Sequence, residues 1–490
     1  MASLEEIRSA RLKKLELLKE RDVNPYPVST DTCANLAEVS SDFEKLAKKK
    51  SITIAGRVMS LRGQGGLVFA DLFDGTGKFQ TLLKKDETGE EMFAFWSSTV
   101  DIGDFVEVTG TLFVTKRNEK TLQAKEWRML SKSLRPLPEK WHGLQDVEER
   151  FRRRYLDLLM NEEVRNRFIL RSRIVSTLRG LLDADGFLEV ETSILQPLAG
   201  GANAEPFQTR HHALDINLYL RIAPELDLKK LLIGGFPRVY EIGRSFRNEG
   251  IDVTHNPEFT TIEWYVAYSD AKRERERVER VMKAIVSKVL GKSTFTFDGK
   301  EIDFEKPFAV VTYFEILQRY ALIANPEKAT RDELALKATQ LGVKVDTADS
   351  SEKIMDNIYK KAVRPKLIQP TFIVGYPKNY IPLAKGDEKN PALVDAFQVV
   401  IGGMEMVKGF SELNNPVEQR ARFTREEESK KAGDKEAQPS DEVFLEALEY
   451  GMPPAGGLAI SIDRMTMLLS NVKNIREVLF FPTLRPKKEE

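Results

Sequence analysis

Residues 238–268 read RVYEIGRSFRNEGIDVTHNPEFTTIEWYVAY, and their alternation predicts two strands joined by a polar loop. Side chains of a strand alternate between its faces with a period of two, so the odd-numbered residues of each half share a face. In the first half these are Val239, Glu241, Gly243, Ser245 and Arg247. In the second half they are Phe259, Thr261, Glu263 and Tyr265. An antiparallel hairpin would therefore place a guanidinium, an aromatic ring and a carboxylate on one surface.

That surface has the chemistry to hold a nucleotide next to an amine. Arg247 can bind a phosphate with two parallel hydrogen bonds, and Phe259 can stack on a purine ring. Glu263 can pair with an ammonium group. An ordinary salt-bridged hairpin explains the same pattern, so these residues alone leave both interpretations open.

The composition restricts the possible classes of protein. The 490 residues are enough for two or three domains, with 41% hydrophobic and 31% charged residues. Lys+Arg and Asp+Glu number 75 each, so nucleic acid could bind only through local basic patches. A single cysteine, Cys33, and four scattered histidines exclude a disulfide framework and a cysteine-based zinc site. Neither a P-loop nor a dinucleotide-binding glycine motif is found.

The chain divides into two predicted domains. Residues 4–22 predict a helix, and five strand-like runs follow between residues 52 and 132, a pattern typical of a small OB barrel. This first domain covers residues 1–145 and ends in a proline-containing connector. Residues 146–490 mix helices and strands, with a helical insertion at about 312–366. The expected fold class is therefore α+β.

The hairpin motif RSFRNEG…HNPEF…E-x-Y resembles motif 2 of the class II aminoacyl-tRNA synthetases. Further segments resemble the lysyl-tRNA synthetases in order and spacing: LRPLPEKWHGLQD, RRRYLDLL, GGANAEPF, YLRIAPEL, LIQPTFIVGYP, GFSELN and GMPPAGGLAISIDRM. The resemblance covers the chain from its first helix to FFPTLRP. It implies an OB barrel that reads the anticodon and a catalytic domain built on a six-stranded antiparallel sheet flanked by helices.

The resemblance also implies an ATP site. Arg247 would hold the α-phosphate and the substrate carboxylate, and Phe259 would stack under adenine. Glu249 and Asn256 would bind adenosine groups, and His255 would lie near the outer phosphates. Arg464 would hold the nucleotide from its other side.

A lysine pocket and a metal site are implied as well. The pocket residues would be Gly201, Glu225, Glu263, Tyr265, Lys408, Phe410 and Glu412. Carboxylates suit this role because a buried ammonium is costly unless it is paired. Each acid taken alone more often forms a surface salt bridge, and it is the matched set that favours the pocket. Mg²⁺ would be held by Glu405, with Gln398 at the position of a second ligand.

The implied reaction joins L-lysine to tRNA(Lys) in two steps. The lysine carboxylate attacks the α-phosphate of ATP, and the 3′-hydroxyl of the tRNA then takes the lysyl group. In the barrel, Arg62, Phe69 and Gln80 fall where the family reads the anticodon, although Phe69 taken alone fits a barrel core. A homodimer formed through the region Leu178–Thr192 is expected. The N-terminus has no apolar leader and no long apolar run follows, so we expect a cytoplasmic protein without a membrane partner.

Several residues depart from the family pattern. Gln398 replaces a metal-binding acid, and Lys408 replaces an asparagine that touches the substrate carboxylate, so Lys408 could pair with that carboxylate directly. Glu205 and Asp227 add negative charge near the lysine site. The spacing of Glu405 and Glu412 requires a bulge or turn, which Gly409 could supply. Ala459 and Ser461 replace glycines and would crowd a close backbone approach to ATP.

Two alternative functions are consistent with these departures. The first is a class II synthetase for another amino acid, aspartate being the nearest, which the acid-rich pocket disfavours. The second is a non-catalytic RNA-binding paralogue, which intact Arg247, Glu405 and Arg464 disfavour.

Overall fold

The computed structural model describes residues 3–32, 34–138, 146–347, 349–431 and 438–487. Cys33 and residues 139–145 of the predicted connector lie outside the described residues. The chain forms two compact units, Met1–Gln145 and Asp146–Glu490.

The N-terminal unit contains short helices and a closed barrel. Its helices are α1 (Leu4–Glu20), α2 (Leu36–Ser41), α3 (Phe43–Leu46), α4 (Lys85–Thr88) and α5 (Glu90–Thr99). Its strands are β1 (Ile52–Gln64), β2 (Leu67–Phe73), β3 (Lys78–Lys84), β4 (Phe105–Val114) and β5 (Lys120–Ser131). The barrel closes in the order β1-β2-β3-β5-β4.

Alternating burial explains why these strands close into a barrel. Ile52, Ile54 and Val58 of β1 point inward and are almost completely buried, as the period of two requires. Gly110 of β4 is required by a close approach, because a Cβ there would collide with the carbonyl of Gln123 on β5. The five predicted strands all form, whereas the segment between β3 and β4 is helical and has no counterpart in the sequence pattern.

The C-terminal unit alternates helices and strands. Its helices are α6 (Val147–Arg152), α7 (Arg154–Met160), α8 (Glu162–Ala184), α9 (Glu225–Ile233), α10 (Ala271–Leu290), α11 (Tyr313–Ala321), α12 (Arg331–Gln340), α13 (Ser351–Ile358), α14 (Pro416–Lys431), α15 (Glu442–Glu449) and α16 (Ile462–Leu469). Short 3-10 turns at Pro326–Lys328, Arg364–Lys366, Lys378–Tyr380 and Ile475–Val478 and a π-helical turn at Tyr359–Val363 complete the helical segments.

The strands of this unit form one large sheet and two small ones. They are β6 (Leu188–Glu189), β7 (Leu195–Gln196), β8 (Gln208–His211), β9 (Ile216–Leu220), β10 (Arg238–Phe246), β11 (Glu258–Ala267), β12 (Thr294–Phe297), β13 (Lys300–Asp303), β14 (Ala309–Thr312), β15 (Thr371–Pro377), β16 (Leu393–Ile401), β17 (Met404–Ser411) and β18 (Ala455–Ser461). The large sheet has the order β14-β15-β16-β17-β18-β11-β10-β6.

The large sheet is wider than the six strands expected. Its six central strands are antiparallel, and the short edge strands β14 and β6 pair in parallel with β15 and β10. These edge strands have four and two residues, too few for a periodic pattern to show in the sequence. The predicted hairpin is present as β10 and β11, with Glu241 directly opposite Glu263.

One face of the sheet carries a row of directly opposed residues across five strands. The row consists of Glu241, Glu263, Ala459, Lys408 and Gln398. The other face carries apolar residues that pack on α8, α10 and α16 in the main core. The polar face is therefore the one available for ligands.

Residues 312–366 are largely helical and contribute to a second apolar core that includes α11, α12 and α13. Across the part of the chain that the structure describes, no helix combines the length and the apolar composition needed to cross a membrane.

Candidate active site

The loop between β10 and β11 places an arginine against an aromatic ring. The alternation predicted that Arg247 lies on the face of the strand. Strand β10 ends at Phe246, so Arg247 instead lies just beyond the strand. Its main-chain NH donates to the carbonyl of Pro257 at 2.8 Å, and its Cζ lies 5.1 Å from the centre of the Phe259 ring. The buried Arg247 Nε has no hydrogen-bond partner among the described residues. The Arg247 guanidinium is thus held in place, and its Nε remains free to donate a hydrogen bond to a ligand.

A second arginine, Arg464, is held by a chain of polar contacts. Its Nη1 donates to the main-chain carbonyl of Glu405 at 2.8 Å, and its Nη2 lies 3.1 Å from His255 Nε2. His255 Nδ1 lies 2.8 Å from Asp252 Oδ2. Since an arginine only donates, His255 accepts at Nε2 and donates from Nδ1 to Asp252. Arg464 stands in the first turn of α16, whose N-terminus is capped by the side chain of Ser461.

The two adenosine-site candidates lie in the same loop. Asn256 is buried and its Nδ2 donates to the carbonyl of Glu258 at 2.7 Å, while its Oδ1 has no partner among the described residues. Glu249 is exposed.

A cluster of buried charged side chains, which we call the lysine pocket after its predicted role, contains its own ammonium group. Lys229 Nζ lies 2.6 Å from Glu225 Oε1 and 2.5 Å from Glu412 Oε2. A third carboxylate, Glu263, accepts a hydrogen bond from the hydroxyl of Tyr265 at 3.1 Å. All five residues are at most 7% exposed. The pocket therefore holds three carboxylates and one resident ammonium.

This imbalance shifts the pKa values of the pocket. Burial raises the pKa of Glu263 to about 8, and the neighbouring Glu225 carboxylate adds to the shift. Burial likewise raises the pKa of Glu412 to about 8, against the opposing effect of Lys229. Burial alone would lower the pKa of Lys229, but Glu225 and Glu412 outweigh it, so that pKa is raised. Burial therefore outweighs the nearby cations for Glu263 and Glu412, and both carboxyl groups hold their protons more tightly than in water.

Aromatic and glycine residues shape the walls of this pocket. Lys229 Nζ lies 5.3 Å from the centre of the Phe410 ring. Gly201 has a φ of +88° and donates its NH to Gln438 Oε1 at 3.2 Å. A Cβ at Gly457 would collide with the Tyr265 ring and with Glu412, so only glycine keeps this wall open.

The sheet row continues from the pocket to Lys408 and Gln398. A bulge at Met406 leaves Glu405 opposite Val400 and Val407 opposite Val399. This extra residue brings Glu405 to the same face as Lys408. The expectation of a bulge in this region is met, but its position is Met406. Gly409 instead allows close packing, because a Cβ there would lie 2.6 Å from the Phe397 ring.

The surroundings of Glu405 do not fit a metal ion held by the protein. Arg364 Nη1 lies 3.7 Å from Glu405 Oε2, and Gln398 Oε1 already accepts from the Tyr359 hydroxyl at 2.9 Å. Among the described residues, no group of three or more His, Cys, Asp or Glu side chains could hold a metal ion. Burial would raise the pKa of Glu405, but Arg364 and other cations outweigh it and the pKa is lowered. Burial lowers the pKa of Lys408, although Glu405 opposes this.

Of the two acids that depart from the family pattern, Glu205 and Asp227, Asp227 is paired outside the lysine pocket. Asp227 accepts from Gln196 Nε2 at 3.0 Å and from Lys230 Nζ at 3.2 Å. Its charge is therefore paired by residues other than those of the pocket. Glu205 is half-buried, and its main-chain carbonyl accepts from the NH of Asn248 at 2.7 Å.

Three residues of the site escaped the sequence analysis: Lys229, Gly457 and Arg364. The i,i+4 spacing of Glu225 and Lys229 was the available signal for the first, since such pairs are neighbours on a helix. The same spacing is common on solvated helices, so it does not show that this pair is buried.

In the barrel, the three residues predicted to read the anticodon share one outer face. Arg62 on β1 lies directly opposite Phe69 on β2, and its Nη2 is 3.5 Å from Asp71 Oδ2. Asp71 lies opposite Gln80 on β3, and the side chain of Gln80 accepts from Thr121 at 2.9 Å. The neighbours of Phe69 in β2, Val68 and Ala70, point into the core, whereas Phe69 is half-buried outside it.

Two protein-family models match this chain, one within each of the two units. A family model described as "tRNA synthetases class II (D, K and N)" matches residues 146–485. A second, described as "OB-fold nucleic acid binding domain", matches residues 52–130. The chain belongs to the class II aminoacyl-tRNA synthetases, and the α+β fold class with its N-terminal OB barrel is confirmed.

Similar proteins narrow the family further. A lysine–tRNA ligase of Carboxydothermus hydrogenoformans is 45% identical over 489 residues, 99% of this chain and 99% of that protein. Those of Pelotomaculum thermopropionicum and Magnetococcus marinus are each 44% identical, over 99% and 97% of this chain and 96% of each relative. Within class II, the chain is a member of the lysine–tRNA ligase family, which confirms the resemblance found in its motifs.

Proposed function

We propose that this protein joins L-lysine to tRNA(Lys) at the expense of ATP. A carboxylate oxygen of lysine attacks the α-phosphorus of ATP, the bond from that phosphorus to the bridging oxygen breaks, and pyrophosphate leaves. The product is lysyl-adenylate. The terminal ribose of the tRNA, through its 3′-hydroxyl, then attacks the lysyl carbonyl carbon, and AMP leaves.

The charge count of the buried pocket carries this proposal. Of three buried carboxylates, Glu225 and Glu412 form salt bridges with Lys229, whereas Glu263 is in hydrogen-bond contact only with the Tyr265 hydroxyl among the described contacts. A ligand with a second ammonium relieves the imbalance, and a lysine side chain supplies it. A neutral side chain of similar length would leave the acids without a cation, which is why such a site rejects methionine or leucine.

The neighbouring residues support the assignment of the nucleotide. We assign the α-phosphate and the substrate carboxylate to Arg247, the adenine ring to Phe259 and the opposite side of the nucleotide to Arg464. Asn256, with its buried acceptor, and Glu249 would bind adenosine groups, and His255 would lie near the outer phosphates. Lys408 lies on β17 between Glu405, whose main-chain carbonyl binds Arg464, and Phe410 of the pocket, where it could pair with the lysine carboxylate.

This arrangement needs no protein nucleophile. The attacking oxygen belongs to the substrate, and both leaving groups depart as phosphates. Arg247, Arg464 and Lys408 would contribute by orienting the two anions and by offsetting the charge that develops between them. Mg²⁺ would arrive bound to the phosphates of ATP.

The barrel face supplies the contact with tRNA in this proposal. Phe69 can stack on an unpaired base, and Gln80 and Arg62 can bind base edges or phosphates next to it. The cytoplasm, where the tRNA pool is charged, is the proposed location.

A homodimer is also part of the proposal. The segment after α8 carries large apolar side chains that are 38–48% exposed: Leu188, Ile194, Leu195 and Leu198. Contiguous exposed apolar surface marks interaction sites, and a second copy of this chain is the partner that we assign. Leu178 and Leu182 of the predicted region are buried in the core, so the contact would involve the residues after the helix.

The direct test is amino-acid-dependent exchange of pyrophosphate into ATP, measured with each of the twenty amino acids in the absence of tRNA. We expect exchange with lysine alone, followed by charging of tRNA(Lys) when tRNA is added. Exchange with another amino acid would keep the class of enzyme but overturn the assignment of the pocket. Folded protein that exchanges with none would support the non-catalytic alternative.

A further inference from the structure

The hairpin of β16 and β17 concentrates positive charge where carboxylates would be needed to hold a metal ion. Lys408 lies directly opposite Gln398 across the hairpin. Glu405 is brought to the same face by the bulge, and among the described residues no group of three or more His, Cys, Asp or Glu side chains could hold a metal ion. Gln398 is neutral, and its oxygen already accepts the hydrogen bond from Tyr359.

The charges around Glu405 are already satisfied by the protein. Arg364 lies 3.7 Å from its carboxylate, and Arg464 binds its main-chain oxygen. Lys408 acts on the same carboxylate and also on Glu225 of the lysine pocket. Lys360 lies near this corner too, but its Nζ pairs with Asp356 at 2.7 Å. A carboxylate surrounded in this way would hold Mg²⁺ against the repulsion of several fixed cations.

Magnesium is typically bound through one or two carboxylates together with substrate phosphates. A lysine ammonium can meet phosphate oxygens as a point charge without any such ligands. Along β17, Lys408 lies between Glu405, whose main-chain carbonyl binds Arg464, and Phe410 of the lysine pocket, so its ammonium would face the α-phosphate and the lysine carboxylate. These are the two anions that must be brought together.

We propose that the Lys408 ammonium takes the place of a protein-held Mg²⁺ in this active site, so that the divalent cation used in activation is the one that ATP carries in. This inference rests on the proposed function, because it needs ATP in the site. It departs from the prediction that Glu405 and Gln398 hold a metal ion, because the donors present do not fit one.

Metal stoichiometry tests the inference on the full-length protein. The probe is Mn²⁺, whose unbound fraction is measured by electron paramagnetic resonance. The nucleotide is α,β-methylene-ATP, in which the bond that activation would break, between the α-phosphorus and the bridging oxygen, is replaced by a phosphorus–carbon bond. We expect no Mn²⁺ binding without nucleotide and a single Mn²⁺ per active site with the analogue. Two or more Mn²⁺ ions per site, or tight binding without nucleotide, would overturn the inference.

Substitutions give a second, independent result. The double variant Q398E/K408N restores an acid and removes the ammonium, and we expect it to gain one Mn²⁺ with the analogue. K408N alone should lose lysine-dependent exchange by about tenfold or more, the usual size for one charged contact. The control K361N removes an exposed lysine of the π-helical turn Tyr359–Val363 and should match the wild type in both measurements. A K408N variant with wild-type exchange would contradict the inference.

The two proposals fail in different ways. A single Mn²⁺ per site in a protein that exchanges with no amino acid would overturn the proposed function alone. Lysine-dependent exchange in a protein with two Mn²⁺ per site would overturn only the role of Lys408.

Discussion

At the scale of single residues, the proton on Glu263 links lysine binding to pH. The pKa of this buried carboxyl is about 8 in the folded protein and 4.5 when it is exposed. Because the folded state holds the proton more tightly, the contribution of Glu263 to the free energy of unfolding is fully present below pH 4.5 and is lost as pH rises through 8. A bound ammonium favours the ionised form and reverses this loss.

We therefore expect lysine to bind more tightly as pH rises from 6 to 8, by about tenfold per unit well below the pKa. The measurement is the lysine-induced increase in unfolding temperature, together with proton release in calorimetry using two buffers of different ionisation enthalpy. Glu263→Gln should weaken binding and reduce proton release. Glu276→Gln, exposed on α10, is the control. An increase in unfolding temperature that does not change with pH would contradict the assignment.

His255 is expected to position Arg464 rather than to react. Removing its ring in His255→Ala takes away the acceptor at Nε2, so the guanidinium loses one of its two anchors. We predict that KM for ATP rises about tenfold while KM for lysine stays unchanged, in exchange assays that vary one substrate at a time. His212→Ala removes an exposed histidine and should change neither value. An equal rise in both KM values would indicate general damage instead.

The sequence places most of the candidate site residues in a hairpin and in two matched motifs, and the roles given to them stay predictions. Arg247 lies against Phe259, and Arg464 contacts His255 of the loop between β10 and β11. Lys229 could not be assigned, because its spacing from Glu225 is the same in a buried pair and in a solvated one. Burial of that pair depends on Glu412, which is distant in the sequence.

At the scale of secondary-structure elements, Ser461 shows how a departure from the family pattern can stabilise the site. The expectation that its side chain crowds a close backbone approach to ATP stays a prediction, and in the structure the hydroxyl accepts from the NH of Arg464 at 3.2 Å and caps α16. Ser461→Ala should lower the free energy of unfolding by about 1 kcal/mol, measured by chemical denaturation. Ser461→Thr keeps an oxygen in place and should restore most of the loss. Equal losses in the two variants would rule out the cap.

Strand register explains where prediction by element succeeded and where it failed. Alternation was sufficient for β10, β11 and the barrel strands, because each has one buried face. It could show that a bulge is needed between Glu405 and Glu412, but not that Met406 is the extra residue. That choice depends on which side chains the core accepts, and Met406 packs into it.

At the scale of the whole molecule, the exposed apolar segment after α8 predicts the oligomeric state. We expect a dimer in sedimentation at micromolar concentration and a shift toward monomer for Leu195→Asp, because burying an unpaired carboxylate opposes association. Leu336→Asp, at a leucine that is 63% exposed on α12, should leave the dimer intact. Wild-type protein that sediments as a monomer would contradict the proposed contact.

The division into two units predicts that tRNA recognition and lysine activation can be separated. Phe69→Ala should lower kcat/KM for tRNA charging about 10- to 100-fold, the usual effect of losing one stacked base. Pyrophosphate exchange without tRNA should stay at the wild-type rate. Val114→Ala, exposed on β4, is the control for the barrel. Parallel losses in both assays would show that Phe69 supports the fold instead.

The resident ammonium of Lys229 also bears on how the specificity of such a pocket could change during evolution. A pocket for an uncharged amino acid would need fewer carboxylates, and Lys229 depends on two of them, Glu225 and Glu412. Any single replacement on that path leaves a buried charge without its partner, at a cost of several kcal/mol, about 3–5 in comparable cases. Several coordinated substitutions would be required before a neutral substrate gained any advantage. The ion pair of Lys229 therefore also makes a change of specificity toward a neutral amino acid difficult to reach by single substitutions.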